Sequence, residues 1–313
     1  MQIIEHAPDG GGAPRAAAGR ARPGTAASKR LAKRDGRARG PGPAREDSRD
    51  DATGSPATEP NRLLAALSSR ARAELVRESE LVTLPHGHRA YEPGAPITDL
   101  YFPQTAVFSM VREMTDGAGI EVGTIGREGI VGGSVLAGAT SMSTRCIVQI
   151  PGRARRIATS KLRGAVARSL VDGSGKADGS ASLADLLQRY AQALFEQVTQ
   201  TAACNRLHAL EQRCARWLLM THDRVDGDEL TLTQEFLSYM LGVRRAGVTE
   251  ACGTLQRSGL IRYRHGHITI VDRAGLEAAA CECYAVAAAA YTDLLGELIG
   301  RTPATASSRT ASR

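Results

Sequence analysis

The stretch from Leu232 to Leu260 constrains this chain most. It runs Leu232-Thr233-Gln234-Glu235-Phe236-Leu237-Ser238-Tyr239-Met240-Leu241, turns through Gly242-Val243-Arg244-Arg245, and continues Ala246-Gly247-Val248-Thr249-Glu250-Ala251-Cys252-Gly253-Thr254-Leu255. Thr233 is a residue type that caps helix starts, and Gly242 supplies the backbone freedom for a tight turn. Val248, Ala251, Cys252 and Leu255 fall at i, i+3, i+4 and i+7, which makes one buried stripe. Arg245, Thr249, Glu250, Gln256 and Arg257 are left on the opposite side. Two amphipathic core helices would also satisfy this pattern. The continuation narrows it: Ile261-Arg262-Tyr263-Arg264, His265-Gly266 and His267-Ile268-Thr269-Ile270-Val271 read as two short strands around a tight turn. Helix, turn, helix, hairpin is a winged helix-turn-helix, which offers polar and cationic side chains to a DNA groove.

The rest of the chain must supply what such a reading head needs. With 313 residues, 42% of them hydrophobic, two folded units plus tails are expected. Forty Lys+Arg against 33 Asp+Glu, a net charge of +7, is consistent with a polyanionic partner, although part of the excess lies in a tail. That tail, Met1 to Pro60, is rich in Gly, Ala, Pro and Arg and has too little apolar surface to fold, so a disordered basic segment is expected. Its Lys29 to Arg39 run would add at most non-specific phosphate attraction. Apolar runs such as Ala285 to Ala290 fall well short of the roughly 20 residues of a membrane span. No apolar segment follows the N-terminal positive charges, so a cytoplasmic protein without membrane association is expected.

Residues 61–173 alternate strand-like runs with glycine turns: Leu81-Val82-Thr83-Leu84, Leu100-Tyr101-Phe102, Val107 to Val111, Ile120 to Ile125 and Arg145 to Ile150. Short strands at regular spacing imply a β-roll, whose interior suits a small molecule. Residues 174–206 hold a Gly/Ser-rich break and a long helix with Leu183, Leu186, Leu187, Tyr190, Leu194, Val198 and Thr201 in one stripe. That stripe either lines the roll or pairs with a symmetry mate, and the helix is assigned to dimerisation. Residues 207–280 form the reading head, and 281–313 a C-terminal helix, continuous from Leu276 to Ile299, with a frayed end. The fold class is α+β: an N-terminal β-roll, a long dimerisation helix and a C-terminal winged helix-turn-helix.

The cysteines (Cys146, Cys204, Cys214, Cys252, Cys281, Cys283) show no zinc-ribbon or Cys-x-x-Cys spacing and read as small buried hydrophobes. Within a helix Cys281-x-Cys283 would point to opposite sides, a poor chelate. His86-x-His88 with Glu92 matches the core of a cupin metal motif, so a metal-dependent enzyme is the competing reading. The motif's flanking glycines and second histidine element are missing, and a surface turn before Pro93-Gly94 accounts for the same residues. No catalytic residue and no metal ligand is therefore assigned.

Taken together, the roll, the long helix and the reading head resemble the Crp/Fnr superfamily of transcription regulators, from Asn61 to about Ala280. Leu232-Thr233-Gln234-Glu235 through Leu241-Gly242-Val243-Arg244-Arg245 carries the likeness most specifically. Tyr91-Glu92-Pro93-Gly94 with Leu100-Tyr101-Phe102, and Arg213-Cys214-Ala215-Arg216-Trp217-Leu218, add to it. The resemblance implies a homodimer that reads near-palindromic double-stranded DNA, and it admits RNA polymerase as a further partner. It implies that Arg245 reads guanine and that Thr233 and Gln234 contact phosphates. Arg244, Gly247, Thr249, Glu250 and Gln256 complete the expected DNA face. The family's Ser-Arg-Glu-Thr-Val is here Arg244-Arg245-Ala246-Gly247-Val248, so the operator differs from the family's best-known one. In the roll, Glu128, Gly129, Gly132, Gly133, Thr144 and Arg145 are the candidate effector residues. The ribose glutamate is missing from Val131-Gly132-Gly133-Ser134, and Thr144-Arg145 reverses the phosphate pair. Strand alternation also puts Arg145 on the outer face of its strand. These departures speak against cyclic AMP and leave an unknown small effector, or a ligand-independent scaffold, and no fixed cofactor. The iron-sulfur branch is excluded because no cysteine precedes Cys146.

Overall fold

The computed structural model describes residues 59–172 and 182–295. The basic tail up to residue 58, the Gly/Ser-rich stretch at 173–181 and everything after Leu295, including the expected frayed end, lie outside the described residues.

Two short helices, α1 (Arg62–Ala65) and α2 (Ser69–Glu78), open the fold, capped by the side chains of Asn61 and Ser68. Seven strands follow: β1 (Glu80–Leu84), β2 (Arg89–Tyr91), β3 (Asp99–Pro103), β4 (Val107–Glu113), β5 (Gly119–Ile125), β6 (Arg145–Ile150) and β7 (Gly152–Ala158), with a 3₁₀ turn at Gly133–Ala137. They form two antiparallel sheets, ordered β1-β7-β3 and β2-β6-β4-β5. Leu100, Phe102, Phe108, Cys146, Val148, Ala154 and Ile157 share the core between them, which is the expected roll. The charges of Arg153, Arg155 and Arg156 hide β7 from a hydropathy reading, yet its Ala154 and Ile157 are fully buried. Helix α3 (Thr159–Asp172) was likewise not foreseen.

The long helix α4 (Leu183–Leu207) starts behind the Ser182 cap. Its stripe packs on the roll: Leu183, Leu186, Leu187 and Tyr190 belong to the roll core, and Gly123 of β5 lies under Leu194 and Val198. Gln197 clamps β5 from the same face, accepting from Thr124 N and donating to Thr124 O, both at 3.0 Å. The stripe is apolar because it closes the roll. What α4 leaves exposed is a different face, including Ala191, Phe195, Thr199 and Ala202.

The C-terminal half consists of α5 (Leu210–His222), β8 (Glu229–Thr231), α6 (Gln234–Leu241), α7 (Arg245–Arg257), β9 (Ile261–Arg264), β10 (His267–Ile270), α8 (Arg273–Ala279) and α9 (Cys283–Leu295). β8 is a third strand in the wing sheet, order β8-β10-β9. The wing turn is His265-Gly266, with φ of 49° and 82°, the left-handed pair a two-residue hairpin needs. These elements surround a second core containing Trp217, Leu218, Leu237, Leu241, Val248, Leu255, Ile268 and Leu276, and it includes Val111 and Ile147 from the roll. Alternation along β6 explains this: Cys146 and Val148 point into the roll, and Ile147 points outward to the reading head.

The expected continuous helix from Leu276 is broken. α8 ends at Ala279 and α9 starts at Cys283, so Cys281 sits in a joint and not on a helix, and the Cys281-x-Cys283 pair is not splayed apart. Helix α9 runs back along α4, where Tyr291 and Leu295 enter the roll core. Among the described residues no helix is long and apolar enough to cross a membrane.

Candidate nucleic-acid interface

The two helices of the motif are set by their ends. Thr233 caps α6, its Oγ1 accepting from Phe236 N at 3.1 Å. Gly242 stops the helix in the left-handed conformation, φ 64°, where a Cβ would also come within 2.8 Å of Ile120 Cδ1. Arg244 is the extended N-cap of α7, and Val248, Ala251, Cys252 and Leu255 are buried as the spacing requires. The opposite face, with Arg245, Thr249, Glu250, Gln256 and Arg257, is exposed.

The predicted DNA residues divide by what they already hold. Arg244 and Arg245 are exposed at the positive end of α7. Thr249 donates to Gln234 Oε1 at 3.0 Å, which ties the recognition helix to the start of α6 and leaves the Gln234 amide donors available for a phosphate. Glu250 is exposed one position further on. Gly247 is a packing position: a Cβ there would meet Leu210 Cδ2 at 3.0 Å, so its small size admits α5. Gln256 Oε1 accepts from Tyr263 N at 2.7 Å and so fastens the wing to α7. The exposed wing residues Arg262, Arg264 and His265 extend the cationic face; the sequence reading had them only as strand and turn. Their alternation with Ile261 and Tyr263 was the available signal.

The reading head is docked on the outer face of the roll. Trp217 Nε1 donates to Glu121 Oε1 at 2.9 Å, and Thr124 donates to the same oxygen at 2.6 Å. Glu121 Oε2 is buried without a hydrogen bond, and burial holds this carboxyl above its ordinary pKa. Gln149 of β6 accepts from Ser109 and donates to Thr221. His86 stacks edge-on against Phe236, with centroids 5.0 Å apart. Tyr239 of α6 donates to Glu113, which also pairs with Arg145. An open cleft of about 780 Å³ remains between the β4–β5 turn and α6, bordered by Gly117, Gly119, Thr233, Tyr239 and Arg244.

The effector candidates are not gathered into one site. Glu128 is buried in an ion pair with Arg224, Oε1 to Nε 2.8 Å. Gly129 packs under Tyr190, and Gly132, with φ of 89°, packs under Tyr91. Gly133 opens the 3₁₀ turn, and Thr144 Oγ1 is buried without a partner. Arg145 lies outward as alternation predicts, paired with Glu92 at 2.8 Å and with Glu113, so it serves the docking of the head. The cupin constellation dissolves for the same reason. Glu92 is held by Arg89 and Arg145, and His86 Nδ1 lies 2.9 Å from Gln149 O.

Residues 212–279 match the family model for the Crp-like helix-turn-helix domain. No curated sequence matches the chain significantly. Among solved structures, FixK2 from Bradyrhizobium japonicum is similar at 15% identity and a TM-score of 0.54, covering 65% of this chain and 98% of that one. The c-di-GMP responsive global regulator CLP of Xanthomonas campestris is similar at 16% identity and TM-score 0.51, covering 65% and 99%. A putative Crp/Fnr-family regulator from Eubacterium rectale gives 18% identity and TM-score 0.51, covering 69% and 96%. Residues 212–279 are thus a Crp-like helix-turn-helix domain, and the chain as a whole shares the fold of these regulators.

Proposed function

We propose that the chain is a cytoplasmic homodimer that reads near-palindromic operators through Arg245, Thr249 and Glu250. The exposed polar face of α7 carries this reading, because it is the one face of the helix not used for packing. In a dimer two such helices would enter successive major grooves about 34 Å apart. A planar guanidinium at Arg245 suits O6 and N7 of guanine, and the Gln234 amide, Thr233 hydroxyl and wing arginines suit phosphates. Glu250, as an acceptor, suits the amino group of cytosine or adenine. The test is selection of operators from random DNA by the full chain, followed by binding of the Arg245→Ala variant. Loss of preference at one base pair per half-site is expected. Unchanged preference would refute the assignment.

The dimer reading rests on the exposed face of α4, where Phe195 is 60% exposed beside Ala191, Thr199 and Ala202. Regulation, on this reading, acts on the docking of the head. Thr233 and Arg244 border the cleft against the β4–β5 turn, so a phosphate bound there competes with the roll. A small effector or a protein partner such as RNA polymerase would bias that equilibrium. The departures at the ribose and phosphate positions, with Arg145 committed to Glu92 and Glu113, favour an effector other than cyclic AMP.

A further inference from the structure

Three thiols and an imidazole meet where the long helix ends. Cys204 and His208 lie one turn apart at the C-terminal end of α4, and Cys281 and Cys283 flank Glu282 in the joint between α8 and α9. Residues 73 or more positions apart are thus brought together, and their four donor atoms all lie within 4.8 Å of one another. Cys204 Sγ is 3.5 Å from Cys281 Sγ, and Cys283 Sγ is 3.4 Å from His208 Nδ1. The edges of a tetrahedron with metal–sulfur bonds of about 2.3 Å and a metal–nitrogen bond of about 2.0 Å come to roughly 3.5 to 3.8 Å. The three cysteines are buried and form a cluster of their own, apart from both main cores.

The surroundings are those of a ligand set. His208 Nε2 lies 3.1 Å from Glu282 Oε1, which fixes the ring and directs Nδ1 inward, as a carboxylate does behind a metal-bound histidine. Gln200 Nε2 donates to Cys283 Sγ at 3.0 Å, a contact that favours a thiolate. A disulfide between Cys204 and Cys281 would need an S–S distance near 2.05 Å and would leave Cys283, His208 and Gln200 converging on nothing.

We propose that Cys204, His208, Cys281 and Cys283 bind one divalent metal ion of the zinc class in a closed, four-coordinate site. Three thiolates and an imidazole select a thiophilic ion with tetrahedral preference and leave no open position for a substrate, so the ion is a clasp and not a catalyst. On binding, the thiols release their protons to solvent, and the site carries one net negative charge. The buried Arg216, whose charge favours the Cys204 thiolate, lies alongside to offset it. The clasp would fasten the His208-Ala209 step between α4 and α5 to the α8–α9 joint. The proposal stands on these residues alone and does not depend on what the head reads.

The test uses the full-length reduced chain, stripped with chelator and titrated with Zn²⁺, and separately with Co²⁺ as a spectroscopic probe. One equivalent of zinc per chain is expected, with the intense visible bands and sulfur charge transfer of four-coordinate thiolate cobalt, and a rise in melting temperature with zinc. His208→Ala and Cys283→Ser should lose the cobalt spectrum, whereas Cys146→Ala, in the roll core, should keep it. Glu282→Gln should weaken zinc binding about 10- to 100-fold. A folded wild-type chain that gives no cobalt bands and no zinc-dependent stabilisation would overturn the proposal. So would metal uptake unchanged in both ligand variants. Because the first readout uses the wild-type protein, a variant that fails to fold does not rescue the idea.

Discussion

At the scale of single residues, position on α7 separates reading from holding. The exposed place of Arg245 at the start of α7 was legible in the sequence, because a glycine turn followed by a buried stripe fixes where the second helix begins. Gln256 was not: its partner is a backbone amide seven residues on, a contact made by the wing and not by helical periodicity. The packing role of Gly247 was hidden for a related reason, since the neighbour it makes room for, Leu210, lies 37 positions upstream. Replacing Gln234 by Ala should weaken binding to all sequences alike and lower the salt slope by about one, measured by anisotropy titration at several ionic strengths. Gly242→Ala should cost about 1 kcal/mol or more in stability, seen as a lowered denaturation midpoint. It places a side chain at φ 64° with its Cβ 2.8 Å from Ile120 Cδ1.

At the scale of elements, periodicity said that α4 buries a stripe but not what covers it. The roll and α9 do, and the face left over is the one that suits a second copy. If the proposed dimer forms through that face, Phe195→Glu should convert it to a monomer without lowering its melting temperature by more than a few degrees, read by light scattering and calorimetry. The strands β4 and β5 were legible from their apolar alternation; β7 was not, because its three arginines crowd the two residues that matter and break the period of two. Glu121 on β5 illustrates a feature no pattern reveals, a carboxyl sealed between a sheet and Trp217. Burial raises its pKa, so the stability it contributes is complete below the ordinary carboxylate value of about 4.5 and is lost as pH rises through the raised value. Glu121→Gln keeps an acceptor for Trp217 and Thr124 and removes the ionisation. Its unfolding midpoint should therefore exceed wild type at pH 8 and converge with it near pH 4.

At the scale of the whole molecule, the roll and the reading head share buried surface, and a few contacts set how firmly they hold. Gly119 lies under the ring of Tyr239, where a Cβ would run into the ring edge. Gly119→Ala should force Tyr239 off Glu113 and, if docking competes with DNA, raise operator affinity several-fold with unchanged sequence preference. Equal affinity with a displaced Tyr239, seen by hydrogen exchange in α6, would separate docking from regulation. None of this was legible from sequence, because Tyr239 and Glu113 are 126 positions apart and each reads as an ordinary amphipathic residue.

The course of the chain limits how the head can move. It leaves the roll through α4 and returns to the roll through α9, so the reading domain is attached at both ends and not hung from one. A body held at two separated points keeps a single rotation, about the line through them. Here the two attachments, at Cys204 and Cys281, nearly coincide, with sulfurs 3.5 Å apart. A head released from the roll face would therefore turn about something close to a point, like a ball joint, and whatever couples those two side chains would set how freely it turned.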